Sequence, residues 1–151
     1  MRLGNILKQV GGTPESGRRV KFQLRVKLKN GTYTRREAEA TLLPVSVSEV
    51  AEIQAEVADY LAENPSAIRD DEINLRFVVR ALKDSDNLAI PFALPELLPK
   101  LSEGLTVQQV AWLLGEYTIM IRGEYPECWA SAEEREKAED EAEGFTEDDQ
   151  V

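Results

Sequence analysis

The sequence VKFQLRVKLKNGTYTRREAEATL, residues 20–42, predicts a β-hairpin. Its first part alternates strictly between apolar and polar side chains, a period of two that is typical of a strand with one buried face. Asn30-Gly31 follows at once and is the strongest two-residue signal for a hairpin turn. We therefore expect two antiparallel strands, with Phe22 and Leu24 on the buried face.

The pairing of these strands decides which side chains share a face. A simple two-residue turn sets glutamates opposite apolar residues, whereas a shift by one residue sets Leu24 opposite Ala38 and Arg25 opposite Glu37. A one-residue shift exchanges the faces of a strand, and a β-bulge is the usual way to accommodate it. The sequence thus predicts a bulged hairpin, with the bulge near Arg35-Arg36.

Helical patterns fill the chain after Pro44. Capping-box sequences begin at Ser46 and Thr106, a further helix covers about residues 66–83, and Pro95 stands at the first turn of a short helix. The predicted fold is α+β: an N-terminal bulged β-hairpin followed by a small bundle of three to four helices. The apolar stripes that we expect in the core are Val50, Ile53, Val57, Tyr60 and Leu61; Ile73, Phe77, Val78, Ala81 and Leu82; and Val107, Val110, Leu114, Tyr117 and Ile121.

The pattern divides the chain into four parts. We expect a flexible N-terminal arm over residues 1–19, the hairpin over residues 20–43, a helical domain over residues 46–129 and an acidic tail over residues 130–151. The tail is predicted to be disordered because its acids repel one another and it offers little apolar surface to offset the entropy of ordering.

Charge is sorted along the chain. Residues 1–45 hold ten Lys/Arg against three Asp/Glu, residues 46–130 hold six against fifteen, and residues 131–151 hold two against ten. Such asymmetry is typical of proteins that bind charged partners or carry interaction tails. It indicates association rather than a reaction.

Groups that usually carry catalysis are missing from the sequence. The chain has no histidine and one cysteine, Cys128, which excludes Ser-His and Cys-His pairs and a His/Cys zinc site. Asp84-Ser85-Asp86-Asn87 departs from a calcium loop and predicts a helix-terminating turn, while Asp70-Asp71-Glu72 suits the positive end of a helix dipole. We expect no enzyme activity, no cofactor and no metal.

Membrane insertion and export are not expected either. No apolar run approaches the roughly 18–20 residues that cross a bilayer, and the N-terminus lacks the apolar core of a signal peptide. These features predict a cytoplasmic protein with no membrane partner.

Four short motifs follow one another in residues 69–120. They are the helix end Ala81-Leu82-Lys83-Asp84, a loop with Pro91-Phe92, a small helix over residues 94–101, and Leu105-Thr106 opening a helix that reaches the aromatic Tyr117. In this order they resemble the tail assembly chaperones of long-tailed, siphovirus-type bacteriophages. The resemblance covers about a third of the chain.

The resemblance implies a non-enzymatic function and a set of partners. Tail assembly chaperones coat the tape measure protein and recruit tail tube protein during tail assembly, in the host cytoplasm, and are absent from the mature virion. Both partners are implied by the resemblance alone, and a homo-oligomer is compatible with the sequence.

An apolar, proline-punctuated segment offers candidate partner-binding residues. A partner that is largely amphipathic helix needs an exposed apolar strip. The candidates are Ile90, Phe92, Leu94, Leu97 and Leu98. Their other interpretation, that they only close the core, stays open at this point.

The basic hairpin supports an alternative, a small nucleic-acid-binding or regulatory module. Its polar face would contact phosphates. The net charge of −10 argues against tight binding of nucleic acid, and a lack of aromatic residues on that face argues against base stacking. The candidate residues are Lys21, Arg25, Lys27, Lys29, Arg35 and Arg36.

Overall fold

The α+β class is confirmed by the computed structural model, which describes residues 2–8, 11–129 and 136. A three-stranded antiparallel sheet in the order β1-β2-β3 packs beside the helices. The predicted disordered tail, residues 130–151, lies outside the described residues except for Glu136. The elements are α1 Leu3–Lys8, β1 Arg18–Lys27, β2 Tyr33–Leu42, α2 Val47–Glu63, α3 Arg69–Ala81, β3 Leu82–Lys83, α4 Leu98–Gly104 and α5 Val107–Glu124, with 3₁₀ turns at Pro95–Leu97 and Pro126–Cys128.

The hairpin register differs from the prediction. Leu24 pairs with Arg36 rather than with Ala38, and the pairing runs without interruption along both strands, so the predicted bulge near Arg35-Arg36 is wrong. The turn itself absorbs the extra residue: Gly31 has φ +86° and donates its N–H to the Leu28 carbonyl at 3.0 Å. This is a three-residue turn with a glycine bulge, which matches the twist of the flanking strands.

The assignment of the two faces is nevertheless confirmed. The observed register differs from the expected one by two residues, and an even shift leaves every side chain on its face. Phe22 and Val20 are buried, and Leu24 is half-buried against the same core.

A third strand was not predicted. Leu82 and Lys83, expected at the end of a helix, pair with Leu42 and Thr41 of β2. The loop that follows folds back on this strand, since the Phe92 N–H donates to the Leu82 carbonyl at 3.2 Å. The turn at residues 84–87 is confirmed: Asp84 Oδ1 accepts from the backbone N–H groups of the residues two and three positions later.

Sheet and helices share one hydrophobic core. Residues 20–43 and 46–129, which the sequence pattern separates, both contribute to it. Its buried members are Val20, Phe22, Ala40, Leu42, Val78, Ala81, Leu82, Leu105, Leu113 and Met120.

The two capping boxes are confirmed, and two expected core residues, Tyr60 and Val107, are exposed instead. The Ser46 and Thr106 side chains accept from the backbone N–H of the third residue of α2 and α5, and the side chain of that residue accepts from the backbone N–H of Ser46 or Thr106. Tyr60 is 37% exposed, and Val107 is 81% exposed because it is the first residue of α5, although Leu114 of the same stripe packs against the core.

Candidate partner-binding grooves

Residues 90–98, here named the apolar ridge, lie between the hairpin and helices α2 and α3, with a groove on either side. Leu94 is 51% exposed, Ile90 48% and Leu97 37%. Leu98 and Phe92 are half-buried. Three of the five predicted partner-binding residues therefore present apolar surface to solvent.

The first groove runs between β1 and α4 and has a volume of about 430 Å³. Phe92 and Leu97 line it, and the Phe92 ring also packs against the Phe22 ring at 5.9 Å between centroids. Phe92 thus belongs both to the core and to the groove. The lining residues are Leu24, Arg25, Val26, Lys27, Tyr33, Phe92, Ala93, Leu97, Lys100, Leu101 and Glu103.

The wall of this groove is the edge of the sheet. Within the described residues no strand pairs with β1 on the side away from β2. The Gln23 carbonyl points to that side, where it accepts from Gln109 Nε2 at 2.5 Å. Because strand residues alternate, Arg25 and Lys27 direct their backbone N–H and C=O groups the same way. Gly104 packs closely against the Arg25 carbonyl, and the edge beyond it, at Lys27, opens into the groove.

The second groove, of about 530 Å³, lies between the apolar ridge and helices α2 and α3. Leu98 lines it, together with two arginines of α3 whose charges are already paired. Arg76 donates to Glu72 at 2.6 Å and lies over the Tyr60 ring at 4.9 Å. Arg80 bridges two glutamates of α2, and the hydrogen bond that it donates to Glu52 is the main reason that its pKa is raised.

The predicted basic residues divide between the faces of the hairpin. Lys21, Arg25, Lys27 and Arg35 lie on the outer face, Lys29 lies in the turn, and Arg36 lies on the inner face opposite Leu24. The expected Arg25–Glu37 pair is replaced by Arg25 opposite Arg35, which concentrates positive charge at the end of the hairpin.

An aromatic residue accompanies these cations. Tyr33 lies on the outer face, with the Arg25 guanidinium 4.1 Å from its ring centroid, so the expectation of no aromatic there is wrong. Sequence reasoning also missed Lys100 and Glu103, which line the first groove from α4. Their helical position gave no signal, because the groove forms only when α4 meets β1. The two predicted sets of residues meet in this groove, where Arg25 and Lys27 stand across from Phe92 and Leu97.

Metal-binding clusters and membrane-spanning helices are both absent from the described residues. Residues 2–8, 11–129 and 136 hold no cluster of three or more His, Cys, Asp or Glu side chains that could bind a metal ion. Over the same part of the chain, no helix combines the length and the apolar character needed to span a membrane.

Comparison of the chain with known protein families, with curated proteins and with solved structures found no match. A proposal for function rests on the grooves, on the charge distribution and on the motifs of residues 69–120.

Proposed function

We propose that the protein is a non-enzymatic tail assembly chaperone that holds apolar helical segments of a tape measure protein. The observation that supports this most directly is the apolar ridge, whose leucine and isoleucine side chains stand exposed between two grooves. The motif resemblance of residues 69–120 names the partner.

The ridge suits an amphipathic helix as its ligand. Pro91 and Pro95 keep residues 90–98 from forming one helix that could turn its apolar side inward. A partner helix that lays its apolar stripe along the ridge would cover Ile90, Leu94 and Leu97 together. Fully burying such a side chain stabilises by about 1.5–3 kcal/mol, so three half-exposed ones contribute about 2–4 kcal/mol.

That magnitude predicts weak, reversible contacts. A free energy of about 4 kcal/mol corresponds to a Kd of about 1 mM, before any contribution from the grooves or from charge. Weak contacts by many copies along a long partner shield its apolar surface and still allow release during assembly. The segregated charge would act mainly on encounter rate and solubility.

Co-expression with the tape measure protein of the same genome tests the proposal. The wild-type chain should move that partner from the pellet to the soluble fraction and should pull down tail tube protein with it. Leu94→Asp combined with Leu97→Asp should abolish the shift, because both side chains are exposed and their replacement leaves the core intact.

Val107→Asp is the matched control. Val107 is an exposed apolar residue on α5 that is not part of the ridge and lines neither groove, and its replacement should leave the shift unchanged. A wild-type chain that neither binds nor solubilises the partner contradicts the proposal. If the ridge variant and the control change the solubility of the partner equally, the ridge is not the surface that binds it.

A second candidate function, nucleic-acid binding by the hairpin, is favoured by one observation. Arg25 stacks on Tyr33 and lies opposite Arg35, a cationic and aromatic surface of the kind that contacts single strands. Fluorescence anisotropy with a labelled oligonucleotide at about 0.15 M salt tests it, since exposed charges are screened beyond about 8 Å there. Retained binding that Arg25→Glu and Arg35→Glu remove would support this function.

A further inference from the structure

The first groove combines three features: an apolar floor, a cationic rim and a sheet edge with outward-facing backbone groups. Its volume of about 430 Å³ falls within the roughly 300–1,000 Å³ of ligand sites. An extended segment that runs along β1 could pair its own backbone with Lys27 and place a side chain on the floor. The structure therefore predicts an extended occupant rather than a helix at this edge.

Charge limits the occupant to an acidic segment. Arg25, Lys27 and Lys100 line the groove against one carboxylate, that of Glu103. Residues 20–36 of the hairpin hold six Lys/Arg and no Asp/Glu. In the described part of the chain none of these six forms an ion pair within 4.0 Å. An acidic peptide would therefore complement the groove.

The chain carries such a segment itself. Residues 139–149 read EDEAEGFTEDD and hold seven Asp/Glu and no Lys/Arg. Phe145 stands in the middle of them, and with Val151 it is one of two large apolar residues in residues 131–151. The Phe145 ring, flanked by carboxylates, is complementary to an apolar floor that is flanked by cationic side chains.

Chain length permits the contact. The end of α5 lies near the segment that leads into β1, since Tyr125 donates to Glu15, whereas Arg18 at the start of β1 pairs with Glu116 in the middle of α5. The groove lies at the other end of β1, roughly 30–40 Å from Glu15 at about 3.3 Å per strand residue. The sixteen residues from Trp129 to Phe145 can span up to roughly 53 Å, so the segment reaches the groove with slack.

We propose that residues 141–149 occupy the first groove in cis, with Phe145 on the apolar floor and the flanking carboxylates against Arg25, Lys27 and Lys100. The inference does not depend on the proposed function, because the contact forms in the isolated protein. It assigns the acidic tail a place in the fold and makes it a competitor for whatever else binds the groove.

Amide hydrogen exchange of the full-length protein, measured by NMR, tests the contact. The Lys27 amide faces away from β2 and gains protection only when a partner covers the edge. A tethered segment has a local concentration on the order of 1 mM, and a Kd on the order of 0.1 mM then slows exchange about tenfold. Phe145→Asp should abolish this protection, whereas Val151→Asp, a matched change in the same tail, should leave it intact.

Equal exchange of the Lys27 amide in the wild type and in Phe145→Asp would overturn the proposal. Protection that increases with protein concentration would overturn it as well, because it would place the tail of a second copy in the groove. Loss of protection in Arg25→Glu combined with Lys100→Glu, with wild-type exchange in the α5 amides, would support the cationic rim. The Phe145→Asp protein and the Arg25→Glu, Lys100→Glu protein both keep the whole chain, and unchanged circular dichroism shows that each remains folded.

Discussion

Gly104→Ala should destabilise the protein, because Gly104 sets the distance between α4 and β1. A β-carbon at this position would lie 2.7 Å from the Arg25 carbonyl oxygen and 2.8 Å from Cδ1 of Leu24. Carbon atoms in favourable contact lie about 3.5–4.0 Å apart. The Leu24 methyl group can rotate away, but the Arg25 carbonyl belongs to the paired backbone of β1. Helix α4 therefore has to move.

The expected size of the effect follows from two opposing contributions. Overpacking of this kind costs about 1–3 kcal/mol, and alanine recovers up to about 1 kcal/mol through its higher helix propensity. A net loss of about 1–2 kcal/mol lowers the Tm by roughly 2–8 °C for a domain of this size.

Gly115→Ala is the matched control for this prediction. Nothing lies within 4 Å of the β-carbon that it would add in the middle of α5. It should raise stability by about 0.4–1 kcal/mol, so the same substitution gives opposite signs in two helices. Urea unfolding followed by circular dichroism measures both variants. A Gly104→Ala protein as stable as the wild type would refute the close approach of α4 to β1, and with it the shape of the first groove.

Three further predictions concern the termini and the α3 arginine. Deleting residues 131–151 should change the Tm by a few degrees at most, because a tenfold preference of the tail for the first groove stabilises the protein by only about 1.4 kcal/mol. A large fall in Tm in a thermal scan would contradict this. The hydrogen bond to Glu15 raises the pKa of Tyr125 to about 12, so its stabilisation is complete below pH 10 and is lost as the pH rises towards 12. In Glu15→Gln, ultraviolet titration should show the pKa of the Tyr125 phenol falling back towards 10. An unchanged titration would contradict the hydrogen bond between Tyr125 and Glu15. Arg76→Ala should cost about 1–3 kcal/mol in urea unfolding, because it leaves the half-buried Glu72 carboxylate without its partner, and Glu72→Gln should cost less.

Much of the fold was predictable because local rules act on short stretches. The alternation of residues 20–28 fixed the buried face of β1, and Ser46 and Thr106 fixed the starts of two helices. The register was not predictable in the same way. Asn30-Gly31 serves equally in a two-residue turn and as the last part of a three-residue turn, and the choice depends on strand twist and core packing.

The candidate site was only partly predictable. The composition of residues 90–98 identified the apolar ridge, because its prolines exclude a regular amphipathic helix. The first groove has no such signature. It requires Gly104 of α4 to meet Arg25 of β1, residues far apart in sequence whose contact arises from the packing of the whole core.

The two proposals are coupled through Leu97, which stands exposed on the apolar ridge and also lines the first groove. A tail segment that rests on this side chain has to leave before a partner helix can use it. A tail that favours the groove tenfold over release leaves about one molecule in ten free to bind such a partner, so the apparent affinity for the partner falls about tenfold. A partner confined to Leu94 and the second groove meets no such competition. Under the two proposals the charge asymmetry has a physical role: an acidic tail in the first groove would shield its apolar floor, and a partner that competes for the groove would displace the tail.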